Sequence, residues 1–301
     1  MRLCYVKSLW GVGAIEGNDG SPAGYARLFS RLASEGWQAV ECPVWRIADK
    51  SAFSSALAGA GLSYVAMVNT CTPLAGGPLA DPAPSQALAD HIASFEAQVA
   101  EALALKPLLI NAHSGCDLWP AETSRAFFRR ALEVEAACGA LICHETHRGR
   151  ILYNPWITRD MLREFPALHV TADLSHFCVV AERVFHAKDA DWQAVMREVA
   201  RACRHVHARV GYAQGPQAPD PRAPEYRDAL ERHEAWWAAI EDAQAAAGTQ
   251  LLTYEPEHGH DGYQHMLPYS QIETADVWQI NAWMRDRGEA RHKAAAWCEK
   301  A

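Results

Sequence analysis

The sequence predicts a single (β/α)8 barrel occupying residues 1–301. Eight short, mostly apolar runs recur along the chain, and longer Ala- and Leu-rich stretches with helical spacing separate them. The length of 301 residues suits one α/β barrel without a second domain. The runs lie at 3–8, 38–41, 63–68, 108–112, 141–145, 169–173, 205–208 and 250–255. Bounded by polar, Gly or Pro signals, they read as strands of a parallel sheet buried on both faces. Ser21-Pro22 opens the first helix, a capping residue followed by proline at the first helical position. Ser85 opens the third, where Ala87, Leu88, His91, Ile92, Phe95 and Val99 share one face. Further helices are expected at 121–137, 158–165, 191–201, 225–247 and 274–287. A doubly wound sheet would need fewer strands and a glycine fingerprint after the first. Here Gly11-Val12-Gly13 runs into Ala14-Ile15-Glu16 and lacks the third glycine. Two long loops rich in Pro and Gly, 69–84 and 211–224, follow the third and seventh strands, where loops of a barrel usually cover a ligand.

Composition narrows the function classes. Half the residues are hydrophobic, which suits a globular core that needs no disulfide or structural metal. The net charge of −8 is not the footprint of a general nucleic-acid binder. Nine scattered cysteines with no CxxC spacing lead us to expect reduced thiols. The first ten residues carry Arg2 and Lys7 and no leader-like apolar core, and no uncharged apolar run would span a bilayer. The expectation is a cytoplasmic protein away from membranes.

Polar residues collect where the apolar runs end, which in a barrel is where active sites form. From the fourth run onward the endings are Asn111-Ala112-His113, His144-Glu145-Thr146-His147-Arg148, Thr171-Ala172-Asp173, His205-Val206-His207-Ala208-Arg209 and Glu255-Pro256-Glu257-His258. Ionisable groups on core strands are costly unless paired or bound to a metal. Strand alternation places Cys143, Glu145 and His147 on one face, as it does His205, His207 and Arg209, and Glu255 and Glu257. The simplest convergent set is Glu145, Asp173, His207 and Glu257. Three carboxylates and one imidazole suit one divalent ion, Mn2+ first, with Mg2+, Co2+ or Zn2+ as alternatives, because structural zinc favours thiolates. For each residue alone the competing reading is an ion pair with Arg148 or Arg209.

Glu, Asp, His and Glu ending strands five to eight resemble the pattern of the xylose isomerase-like barrel superfamily, which holds sugar isomerases, sugar epimerases and related metalloenzymes. The segments HETHRGR from His144, HARVGYAQ from His207 and PEHG from Pro256 are similar to its sugar phosphate isomerase/epimerase type proteins. The resemblance implies Glu145, Asp173, His207 and Glu257 as metal ligands and Glu145 and Glu257 as the two acid/base groups. It implies His176, three residues after Asp173, beside substrate or metal, and Arg209 holding a substrate oxygen. On strand eight both Glu255 and Glu257 point inward, so either can be the ligand; the following His-Gly favours Glu257.

The implied reaction is isomerisation or epimerisation of a sugar or sugar-derived keto substrate. A proton leaves a carbon next to a carbonyl while a divalent ion stabilises the enediolate, and two facing carboxylates take and return it. A lyase, dehydratase or deglycosidase acting on a keto-sugar would reuse the same site. An endonuclease for abasic sites would want several zinc ions and a basic groove, against the net charge of −8. Softer candidates are His113, His147, Arg148 and Glu255 as substrate contacts, and Glu41 at the end of strand two. Trp10, Trp45, Trp119 and Trp156 follow strands and could form a flat wall for a sugar face. His258, His260 and His265 read as loop residues near the mouth, and Trp236-Trp237 as internal packing or a contact of a homo-oligomer.

Overall fold

Strand β1 (Arg2–Ser8) is followed by β2 (Ala39–Pro43), β3 (Ser63–Asn69), β4 (Leu109–His113), β5 (Ile142–Glu145), β6 (His169–Ala172), β7 (Cys203–Ala208) and β8 (Leu251–Pro256). They close into one parallel barrel in sequence order, with β8 pairing back onto β1. The computed structural model describes residues 1–10, 12, 20–71, 86–260 and 262–297. Most of the 69–84 loop, the Ser85 cap and the Gly11 and Gly13 positions fall outside the described residues. The predicted (β/α)8 barrel is therefore the fold observed, with strand limits shifted by one or two residues.

Helices α1 (Pro22–Ser34), α2 (Lys50–Ala60), α3 (Leu88–Leu103), α4 (Ala121–Cys138), α5 (Pro155–Glu164), α6 (Ser175–Val180), α7 (Ala190–Ala202), α8 (Arg227–Ala246) and α9 (Val277–Ala294) follow the strands. Their starts are set by local chemistry. Ser21 accepts from the Gly24 N–H at 3.0 Å with Pro22 in the first turn. Asn154 caps α5, which begins three residues before the expected 158 because the Asn154-Pro155 start signal precedes the apolar period. The short α6 directly after β6 was not foreseen; its Ser175, His176, Phe177 and Cys178 are all buried at the barrel end.

Outward-facing strand residues such as Tyr64, Ile110, Ile142, Val170, Val206 and Leu252 pack against the helices in the main core. Inward-facing Cys4, Val6, Ala39, Val65, Leu109 and Cys143 form a separate apolar plug inside the barrel. Above that plug the interior turns polar: Glu41, Asn111, Glu145, Thr171, His205, His207 and Glu255 are all 1% exposed or less. Strand pitch alone decides this switch, since Ala39 and Glu41, Leu109 and Asn111, and Cys143 and Glu145 are successive residues on one face. Val170 pairs with Cys203 but Thr171 with His205, so β7 carries one extra residue just before its two histidines. Among the described residues, no helix is long and apolar enough to cross a membrane.

Candidate metal centre and its surroundings

One ligand atom from each of Glu145, Asp173, His207 and Glu257 lies within 4.8 Å of the others, and all four residues are buried. Glu145 ends β5, Asp173 follows β6, His207 lies on β7 and Glu257 follows β8, so four successive strands each contribute one donor. Nδ1 of His207 is 2.9 Å from Oε2 of Glu257 and 3.7 Å from Oε1 of Glu145. None of these three atoms has a partner in hydrogen-bonding geometry. Buried donors that converge without hydrogen bonds fit a cation shared among them.

The electrostatics say the same. Burial opposes charge on His207, yet Glu257, Glu145 and Glu41 outweigh it and hold the imidazole well above its ordinary value. Burial pushes Glu145 up, but His113 and His207 more than offset it and keep the carboxylate ionised. Without a metal, the proton on His207 supplies the positive charge that the carboxylates demand. Asp173 is pushed up to about 6 by burial, with Arg209 opposing and Glu257 and Glu145 adding.

Asp173 is heavily engaged. Its Oδ1 accepts from the Ser175 N–H at 3.0 Å and from the Ser175 hydroxyl, and its Oδ2 is in a very close ion pair with Nη2 of Arg209. Arg209 also reaches His176 Nε2 at 2.9 Å and lies 3.6 Å from Glu257. A metal held here would share Asp173 with Arg209. His176, which the resemblance put beside substrate or metal, stands 3.4 Å from Asp173 and forms a further close group with Glu145 and His147.

The remaining candidates line the rim. His113 Nε2 is 2.6 Å from Oε2 of Glu145, which also accepts from Asn111 Nδ2 at 2.8 Å. His113, His147 and His176 form a row of imidazoles with centroids 4.7 and 3.9 Å apart. Burial, with the neighbouring cations, pushes His147 and His176 well below the usual range, so both are neutral donors or acceptors toward the mouth. Arg148 stands 5.2 Å over the Tyr263 ring. Of the two strand-eight glutamates, Glu257 joins the upper cluster. Glu255 lies in a deeper one with Glu41, His205 and His207.

Tyr263 was missed. It carries Arg209 4.7 Å over its ring, meets Trp10 edge-on at 4.9 Å, and places its hydroxyl 3.5 Å from His147. Nothing in the local pattern of its loop marks it; only the folding of that loop over the barrel brings it in. Asn111 was seen in its motif but not given its role as donor to both Glu41 and Glu145. Trp10 reaches the mouth, whereas Trp119 packs on His91 and Phe127 and Trp156 on Phe185. Trp45 sits in the turn after β2 under Arg46. His144 points to the outer core, bonded to Ser114 at 2.6 Å and packed on Phe128. His258 is buried with neither ring nitrogen partnered, and His260 pairs with Glu273. Trp236 and Trp237 are buried in the main core.

No family model matches this chain, and no curated protein matches it significantly. Solved structures do. A D-allulose 3-epimerase from Methylomonas sp., in complex with D-allulose, superposes with a TM-score of 0.62 at 15% identity, covering 96% of this chain and 97% of its own. An AP endonuclease, family 2, from Brucella melitensis gives 0.57 at 16% identity, covering 94% and 98%. A probable 3-DHS dehydratase from Bacillus anthracis gives 0.55 at 12% identity, covering 95% and 98%. These likenesses extend over nearly the whole chain and show a shared barrel fold, carried by proteins named for three different chemistries.

Proposed function

We propose that this protein is a divalent-metal-dependent isomerase or epimerase acting on a sugar or sugar-derived keto substrate. The observation that carries the reading is the buried group of Glu145, Asp173, His207 and Glu257, in which the converging atoms of Glu145, His207 and Glu257 lack hydrogen-bond partners. These four residues would hold the ion, with Mn2+ the first choice for an oxygen-rich donor set. When bound, a divalent ion supplies positive charge for the oxygens of a carbonyl and its neighbouring hydroxyl, which acidifies the carbon between them.

The chain's own residues do the rest. Glu145 and Glu257, from strands on either side of His207, take and return the proton as acid and base. His113 and Asn111 hold Glu145 ionised and oriented for that task. Arg209 and His176 bind a substrate oxygen beside Asp173, and His147 and Arg148 complete the contacts to substrate, whereas Glu255, expected among them, lies too deep in the barrel for that role. Trp10 and Tyr263 offer flat faces to a sugar ring and exclude water from the carbanion.

The dehydratase neighbour supports a second reading, in which the same proton abstraction is followed by loss of a β-hydroxyl. The deciding experiment measures metal content and then the action of the manganese-loaded protein on ketoses and keto-acids in D2O. Deuterium at a carbon next to the carbonyl, with the carbon skeleton and hydroxyls intact, is expected. Loss of water or of an aglycone would move the assignment to a lyase. Glu145→Gln and Glu257→Gln should each lose turnover and retain the fold; near-normal activity in either removes that residue from the acid/base pair.

A further inference from the structure

Beneath the upper cluster lies a second one that the proposed reaction does not use as a group. Glu41 of β2, His205 and His207 of β7 and Glu255 of β8 place one ligand atom each within 4.8 Å of one another. All four are 0% exposed. His205 Nε2 is 3.0 Å from Glu41 Oε2, 3.0 Å from His207 Nε2 and 3.7 Å from Glu255 Oε2, while His207 Nε2 is 3.5 Å from Glu41 Oε2.

Protons on the two rings cannot serve every contact in this arrangement. An imidazole nitrogen carries at most one hydrogen, yet His205 Nε2 faces two carboxylate oxygens and another imidazole nitrogen. If His205 donates to Glu41, the contact to His207 needs the proton on the other ring and Glu255 receives nothing. Neither oxygen of Glu255 has a hydrogen-bond partner, although the residue is wholly buried. Burial, with Glu41 adding, pushes the Glu255 carboxyl well above its ordinary value, and a cation meeting its oxygens would offset that cost. The spacing fits one: donors bonded at about 2.0–2.2 Å to a four-coordinate ion stand about 3.3–3.6 Å apart. Four distances between 3.0 and 3.7 Å bracket that value. His207 presents Nδ1 upward to Glu257 and Nε2 downward to this group, so with ions in both clusters the ring would bridge them as an imidazolate, its remaining ring proton released to solvent. Asn111 occupies the other oxygen of Glu41 at 3.3 Å and leaves Oε2 free to point inward.

The geometry points to a second, inner divalent-cation site formed by Glu41, His205, His207 and Glu255, of the zinc class that two imidazoles and two carboxylates select. It rests on the upper-site reading only in sharing the His207 ring. The test is Zn2+ titration of chelator-stripped protein, with metal counted per chain, followed by anomalous diffraction at the zinc edge. Two ions per chain are expected, one density peak lying among Glu41, His205 and Glu255. Glu255→Gln should remove that peak and reduce the count to one, while Asp173→Asn should spare it. The native crystal decides even where a variant fails to fold. A peak only at the upper cluster overturns the inner site and leaves the upper one standing; a peak only at the inner cluster does the reverse. No peak at saturating zinc overturns both.

Discussion

His233 of α8 ties the loop that carries Arg209 to the outer helix layer, and protonating it should release that tie. Its Nε2 accepts from the Gly211 N–H at 3.2 Å and its Nδ1 donates to the Ala229 carbonyl at 2.8 Å, so the ring is neutral with its proton on Nδ1. Burial pushes its pKa down to about 4. A second proton would aim N–H against N–H at Gly211, whose Cα is already pressed on Ser175: an added Cβ there would sit 2.8 Å from Ser175. In the unfolded chain a histidine titrates near about 6.5, so the unfolded state takes up the proton first as pH falls. The stabilisation is therefore complete above about pH 6.5 and is lost progressively down to about pH 4. Between pH 7.5 and 4.5 the linkage removes about 2.5 kcal/mol. Urea unfolding of the native protein and of His233→Gln at both pH values isolates this residue, because the buried His144 and His258 titrate in both proteins and cancel. The native protein should lose about 2.5 kcal/mol more than the variant. Parallel losses would refute the neutral anchoring role.

Two further outcomes follow from the rim. Gly259→Ala would place a Cβ 1.8 Å from the Trp10 ring, so the ring must leave its edge contact with Tyr263. Weakened substrate binding, read as a raised KM, and a tryptophan emission shift are expected, and an unchanged spectrum contradicts the packing. Arg209→Met strands the buried Asp173 carboxylate and should cost about 3–5 kcal/mol in the metal-free protein, as breaking a buried pair does. Manganese should raise the melting temperature of this variant more than that of the native protein, since the ion replaces the lost cation; equal shifts would show that Asp173 does not face the metal.

Much of this protein was legible before any folding was considered. Eight apolar runs and the helical periods between them specify a barrel because every strand of a parallel barrel is buried on both faces and must be apolar along its length. The same logic exposed the mouth: a carboxylate or imidazole at the end of an otherwise apolar run breaks the pattern, and the period of two assigned Glu145, His207 and the strand-eight glutamates to the interior. The period also placed His144 on the opposite face from Glu145, where it packs on Phe128.

What the period could not resolve is depth. Glu255 and Glu257 share a face and a residue type, and only the stagger of tilted strands around the closed barrel sets His207 opposite Glu255 and lifts Glu257 to the level of Asp173. That stagger also brings Glu41 across the barrel to His205, 164 residues away. Tyr263 depends on a loop with no period at all. A sequence states which residues face inward through local geometry; which of them meet is decided by ring closure, which is a property of all eight strands together.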